Sequence, residues 1–351
     1  MNVEPGGQQG ARSGAQSDAR PDGQPLARPD AQPGVLRDVI VVGAGPAGLS
    51  AALNLVRARR STLVFDANRP RNAATLYSHG FLTRDGMSPL ELRKLGRDEV
   101  ERYPYAEVAL GRVESITPEA DGTFAVAARG IRGEGGRVDR ARAVLIATGL
   151  SEAMPAVPSI RGYYGTHLHS CLECDGFEKS DEQLVLIGET NDLARRAFEL
   201  SQWSRRLVVL TNDVGSVTEA EERDLATFGI RVDRRKIDDI EGERATMTGV
   251  RFIDGGVVDC TGGFVRPVWS ATVEYAAGLG LARDESGLVH VDAHGRTSMT
   301  GVYAAGDSTA PGPQQLIVAA GEGADTAAAI NRDLLGTLAD AAAAERASVA
   351  Q

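Results

Sequence analysis

The chain has 351 residues, 42% of them apolar, and 38 Lys and Arg against 48 Asp and Glu, a formal net charge of −10. That length allows two domains of ordinary size, and the acidity disfavours nucleic acid and anionic membrane as partners. No apolar run reaches the roughly 18 residues of a membrane span, and three cysteines, two of them in one CxxC, do not make a disulfide-stapled secreted domain.

Residues 1–34 are Gly, Pro, Gln, Ala, Arg and Asp, with near-repeats at Ala19-Arg20-Pro21-Asp22 and Ala27-Arg28-Pro29-Asp30. Such a segment has little to bury and is expected to be a disordered tail. It shows no apolar h-region, so a cytoplasmic protein is expected. Structure is expected to begin at Asp38-Val39-Ile40-Val41-Val42-Gly43, whose β-branched run suits a buried parallel strand. Pro46 to Arg59 carries Ala47, Leu49, Ala52, Leu53 and Val56 at helical spacing, and Thr62-Leu63-Val64-Phe65 forms a strand ending at Asp66. This is a strand–helix–strand unit of a doubly wound sheet.

A second unit follows mid-chain: strand 184–188, helix Asp192 to Trp203, strand 207–210. The expected fold is α/β with two doubly wound, Rossmann-like dinucleotide domains, the second inserted into the first. The expected boundaries are 35–152 and 273–336 for the first domain and 153–272 for the second, with an Ala-rich tail over 337–351.

Gly43, Gly45 and Gly48 stand at GxGxxG spacing directly after a strand and open a helix that begins Pro46-Ala47. The first glycine allows a tight turn, the second lets backbone approach a pyrophosphate, and the third lets helix pack on strand. The helix N-terminus then faces the phosphates. Asp66, 23 positions after Gly43, is placed to accept bonds from a ribose. The fingerprint alone does not separate FAD from NAD.

Cys171-Leu172-Glu173-Cys174-Asp175-Gly176 is the other chemical signal. CxxC spacing commonly lowers a thiol pKa, and the two sulfurs can close to a disulfide that stores two electrons. Asp175 can serve as a general base for a thiol proton, although its charge disfavours a neighbouring thiolate. Two other readings stay open: a zinc site from His167, His169, Cys171 and Cys174, or a pair of inert cysteines. Contiguous ligands argue against zinc, and no metal is expected. His167 and His169 are read as ordinary histidines before substrate-lining ones, and Cys260 as packing.

Thr148-Gly149 after the strand 143–147, Gly306-Asp307 after a late strand, and Gln314-Gln315-Leu316 after Pro313 complete a pattern. From about residue 37 to 335 these pieces resemble the thioredoxin reductase family of two-dinucleotide flavoproteins. The resemblance implies FAD, with Asp307 on the ribityl chain, residues 314–316 at the pyrimidine edge, and Asn72, in Pro70-Arg71-Asn72-Ala73, among the cofactor contacts. It also implies that Cys174 lies against the flavin and exchanges electrons with its C4a atom, while Cys171 is the outer thiol that meets substrate. A homodimer follows by the same analogy.

The second nucleotide site departs from the family. Thr190 replaces a glycine of the turn after Gly188, Glu189 adds charge where phosphates would lie, and Leu210-Thr211-Asn212-Asp213 lacks the basic cluster for a 2′-phosphate. A vestigial second domain is expected, which is similar to the gliotoxin- and holomycin-type dithiol oxidases. Asp175 pulls the other way, since those oxidases often have histidine after the second cysteine. The expected activity is an FAD-dependent dithiol oxidase. It forms a disulfide in a small-molecule dithiol, such as a secondary metabolite, and uses O2 as acceptor. The alternatives are a reductase fed by NAD(P)H or another donor toward a thioredoxin-like protein, and a non-catalytic redox sensor.

Overall fold

The computed structural model describes residues 35–133, 135–243 and 246–349; the expectation for residues 1–34 lies outside them. Strand β1 (Leu36–Val42) is buried on both faces. Val39 and Val41 turn toward helix α1 (Pro46–Arg57), while Ile40 and Val42 turn to the opposite side. Strand β2 (Thr62–Asp66) is fully buried. Helix α2 (Pro89–Glu101) starts where the Ser88 side chain accepts from the Glu91 amide. Strands β3 (Ala106–Pro118), β4 (Phe124–Gly130) and β5 (Gly136–Ile146) follow. β1 pairs in parallel with β2 and with the end of β5, and β2 with the start of β3. The rest of β3 and the start of β5 sandwich β4 in an antiparallel meander. Two long strands therefore serve both the parallel and the antiparallel part of one sheet.

Strand β6 (Leu150–Ala153) leads into the inserted region. There follow α3 (Ile160–Tyr163), β7 (Leu168–His169), α4 (Leu172–Asp175) and β8 (Leu184–Gly188). Helix α5 (Leu193–Leu200) ends three residues short of Trp203. Residues 201–204 instead turn back, and the Trp203 carbonyl accepts from the Asp181 amide at 3.0 Å. Strand β9 (Leu207–Leu210), helix α6 (Glu219–Thr227) and strand β10 (Arg231–Asp233) complete the wound part, α6 opening on a capping box of Thr218 and Glu221. A meander of β11 (Ile237–Glu243), β12 (Thr246–Phe252) and β13 (Val257–Asp259) precedes β14 (Gly262–Arg266). The second sheet runs β10-β9-β8-β14-β7, all parallel. Strand β15 (Val268–Ala271) returns antiparallel to β6, so one two-stranded ribbon carries both crossings between the halves.

Strand β16 (Val302–Ala304) then joins the first sheet beside β5. Helix α7 (Leu316–Leu335) lies on α1, so close that a β-carbon on Gly323 would collide with the Ala47 carbonyl. Helix α8 (Leu338–Val349) ends the described chain. The fold is α/β, two doubly wound sheets with the second inserted into the first. Among the described residues no helix is long and apolar enough to cross a membrane.

Candidate active site

A cavity of about 870 Å³ opens at the C-terminal ends of the first sheet's strands. That is the position and size range of a cofactor site in such sheets. Gly43, Gly45, Pro46 and Ala47 line it from the turn between β1 and α1, Asp66 from the end of β2, and Arg71 and Asn72 from the loop beyond. Thr148 and Gly149 after β5, Gly306 and Asp307 after β16, and Gln314, Gln315 and Leu316 at the start of α7 close the wall. Gly48 lies beneath the wall, where any β-carbon would strike the Gly43 carbonyl. Gly43 itself has φ +111°, and a β-carbon there would meet the Ala147 carbonyl. A β-carbon on Gly45 would meet nothing within 4 Å, and no side chain caps the first turn of α1. An open glycine turn with an uncapped helix start fits the pyrophosphate of a dinucleotide.

Carboxylates mark both ends of the cavity. Asp66 accepts from the Asn68 amide at 2.7 Å and from Arg97 at 3.0 Å. Asp307 accepts from Arg71 at 2.7 Å and from the Gln314 amide at 3.1 Å. Arg71 also reaches Glu152, at 3.3 Å; burial acts against its charge, but Asp307 and then Glu152 outweigh it and hold its pKa above the ordinary arginine range. Glu322 accepts from the Gly306 amide and from Gln314, fastening the loop after β16 to α7. The Thr148 hydroxyl donates to the carbonyl of Thr272, another residue of the cavity wall, at 2.6 Å.

Cys171 and Cys174 form a disulfide with Cα atoms 5.3 Å apart. Cys171 stands at the start of α4, and its sulfur accepts from the Cys174 amide at 3.2 Å, a bond that favours negative charge on that sulfur. Glu173 counters it, with a carboxylate oxygen 3.9 Å from the same sulfur. Gly176 accommodates the Trp203 indole, which a β-carbon there would strike. The cystine does not line the cavity; the loop 78–87 joins the two regions. Gly80 lies against the Gln315 side chain, and His79 stands 3.6 Å from Glu178 just beyond the cystine. The four residues considered for zinc diverge: the two sulfurs are bonded together, His167 faces Thr166, and His169 faces Asp175 at 3.0 Å.

The family described as pyridine nucleotide-disulphide oxidoreductase matches residues 37–323. The chain belongs to that family. Thioredoxin reductase tcpT of Claviceps purpurea (strain 20.1) is 32% identical over 288 residues, covering 78% of this chain and 87% of that protein. Thioredoxin reductase sirT of Leptosphaeria maculans is 28% identical over 327 residues, 89% of this chain and 98% of that one. The crystal structure of HlmI superposes with a TM-score of 0.82 at 33% identity, covering 89% of this chain and 96% of HlmI.

As a member of the pyridine nucleotide-disulphide oxidoreductases, this protein is an oxidoreductase enzyme. Its second sheet has an unusual first turn. Glu189 after β8 accepts from the Asn212 side chain at 2.6 Å and from the Ala156 amide at 3.0 Å. Thr190 donates to Asp192 at 2.7 Å, and Arg266 holds the other Asp192 oxygen at 2.7 Å, at the start of α5. Burial works against the Asp192 charge, but Thr190 and Arg266 outweigh it and hold the carboxyl below its ordinary range. Two acids thus stand at the first turn after β8, where a helix start would face a phosphate, and neither caps the helix amides.

Sequence reasoning did not find Arg71, Arg97, Glu152 or Glu322 as members of the site. They lie on separate elements with no spacing pattern among them. His169 was read as ordinary, although its position two residues before Cys171 was a signal that it lies near Asp175.

Proposed function

We propose that this enzyme is an FAD-dependent dithiol oxidase acting on small-molecule dithiols. The observation that carries the reading is the negative charge of Glu189 and Asp192 at the second sheet's first turn, together with a retained cystine. A flavoenzyme without a nicotinamide seat needs electrons from another donor, and a cystine takes two from a dithiol. FAD would be held by the glycine turn at Gly43–Gly48, by Asp66 at the ribose, and by Asp307 and residues 314–316 toward the ring. Bound FAD supplies an acceptor for the dithiol's electron pair and a donor to dioxygen.

The chain's own steps are sulfur chemistry. A substrate thiolate attacks the Cys171 sulfur, the outer one by family position; the Cys171–Cys174 bond breaks and Cys174 leaves with the electron pair. The substrate's second thiol then attacks its own mixed disulfide, releasing the substrate disulfide and Cys171. The amide of Cys174, already 3.2 Å from the Cys171 sulfur, steadies the charge that returns there. Asp175 handles the proton on the inner side.

The test is anaerobic absorbance in a stopped-flow instrument. Dithiothreitol should bleach the flavin, NADPH and NADH should not, and readmitted air should restore the yellow with peroxide formed. Rapid bleaching by either nicotinamide would sink the oxidase reading. It would favour a thioredoxin-type reductase, the reading that Asp175 after Cys174 and the relatives' names support.

A further inference from the structure

His169 and Asp175 flank the cystine in sequence, two residues before Cys171 and one after Cys174. His169 ends β7, is only 9% exposed, and lies 6.2 Å from the Phe264 ring of β14. Its Nδ1 stands 3.0 Å from Asp175 Oδ1, and its Nε2 stands 3.1 Å from the Thr166 carbonyl oxygen. A carbonyl only accepts, so Nε2 carries a hydrogen. A neutral imidazole then has a bare lone pair at Nδ1, facing a carboxylate that also only accepts. At 3.0 Å the two atoms stand at ion-pair distance, an approach that is favourable only when one further proton is present, on the ring or on the carboxyl. The oxidised enzyme therefore holds an imidazole and a carboxyl group close enough to share one proton.

Resting on the dithiol-oxidase reading above, we propose that His169 is a positioning residue that keeps Asp175 supplied with a proton for the Cys174 sulfur. When the substrate thiolate breaks the Cys171–Cys174 bond, Cys174 departs with the electron pair and Asp175 gives it the shared proton. The pair is then one proton short. The substrate's second thiol loses its proton to the pair as its sulfur attacks the mixed disulfide. Substrate disulfide leaves, Cys171 holds the remaining negative charge, and the pair is loaded again. Electrons and protons balance: the substrate loses two electrons, the cystine gains two, and the proton taken from the pair is returned.

The charged groups around the pair come from every neighbouring element. Glu173 lies on α4 with Asp175; Arg196 of α5 donates to the Ser170 carbonyl at 3.0 Å. His167, with Lys179 and Glu182 beyond it, faces the other side, and its own pKa is pushed below the ordinary range by burial and then by Lys179 and His169. Phe264 of β14 is uncharged.

The experiment uses the full-length, FAD-loaded protein under nitrogen. Dithiothreitol is the reductant, and opened cystine is trapped with iodoacetamide and counted by mass spectrometry between about pH 6 and about pH 9. H169Q should keep its flavin and open the cystine about tenfold more slowly, with the deficit growing as pH rises. D175N should lose about as much, and the H169Q/D175N double variant no more than D175N alone. H169Q rates within about twofold of the unmutated protein at every pH, or losses that multiply in the double variant, would overturn the relay. His169→Asn is run in parallel; loss of flavin in both histidine variants would show a structural role and overturn it too. An unmutated cystine that dithiothreitol does not open would instead overturn the oxidase reading itself.

Discussion

Arg71 Nη2 donates to Asp307 Oδ2 at 2.7 Å, joining residues 236 positions apart across the mouth of the cavity. The same guanidinium reaches Glu152 of β6 at 3.3 Å, and Glu152 accepts from Tyr164 at 2.9 Å and from the Trp269 indole at 3.2 Å. Ser170, next to Cys171, bonds to the Tyr164 hydroxyl at 2.8 Å. One polar chain thus runs from the cavity wall, through the ribbon between the halves, to the cystine segment. Removing Arg71 would strand two carboxylates, 14% and 8% exposed. Arg71→Ala is expected to cost about 3 kcal/mol, because uncompensated buried charge is what such a deletion leaves behind. Thermal denaturation checks this; an unchanged melting temperature would count against the network.

Cys174→Ser should retain bound flavin while dithiol-dependent oxygen uptake falls by about a thousandfold, since the nucleophilic cycle then has no second sulfur. An oxygen electrode measures it. Residual turnover near the unmutated rate would remove the cystine from the pathway.

Glu173 lies 3.9 Å from the Cys171 sulfur and adds a negative charge where substrate thiolate arrives. At that distance a unit charge in water is worth about 1 kcal/mol, or about fivefold in rate. Glu173→Gln should therefore raise the rate at which dithiothreitol thiolate opens the cystine by about that factor, and by less at high salt. An unchanged rate would show that the charge does not act on the approach.

Asp192 is held below the ordinary carboxyl range by Thr190 and Arg266 against the effect of burial. A depressed folded pKa contributes stability that is present above the unfolded value and is lost as pH falls through the folded one. Asp192→Asn should be less stable by about 2 kcal/mol at neutral pH, and the gap should close below about pH 4. Melting curves across pH decide it; a gap constant with pH would contradict the assignment.

Cys260 is 3% exposed, and burial, with Asp259 adding to it, pushes its thiol up to about 12. After reduction, iodoacetamide at about pH 8 should label only Cys171 and Cys174 in the native protein, and Cys260 only on unfolding. Because the folded pKa is raised, this thiol binds its proton more tightly when native, so it withdraws stability as pH climbs past the ordinary thiol range. Peptide mapping that finds Cys260 labelled in the native state would refute the burial argument.

Period and spacing made β1, β2, β8 and β9 readable, because strands buried on both faces are written as continuous apolar runs. The cavity wall was readable for the same local reason: glycines, Asp66 and Asp307 stand at strand ends in fixed offsets from those runs. Of β3, β4 and β5 only the buried end of β5 was readable, since β3 and β5 change partners midway and no local pattern marks that switch. The end of α5 at Leu200 was missed too, because the turn at 201–204 is set by a bond to Asp181 outside the helix.

Local order along the chain determined the α/β class, the glycine turn and the CxxC, since each is a matter of neighbouring residues and backbone geometry. Only the tertiary structure decided that Arg71 meets Asp307, that Arg266 holds Asp192, and that His169 turns to Asp175. Those are contacts between charged side chains, and charge pairing acts through distance in space, which residue spacing alone does not encode.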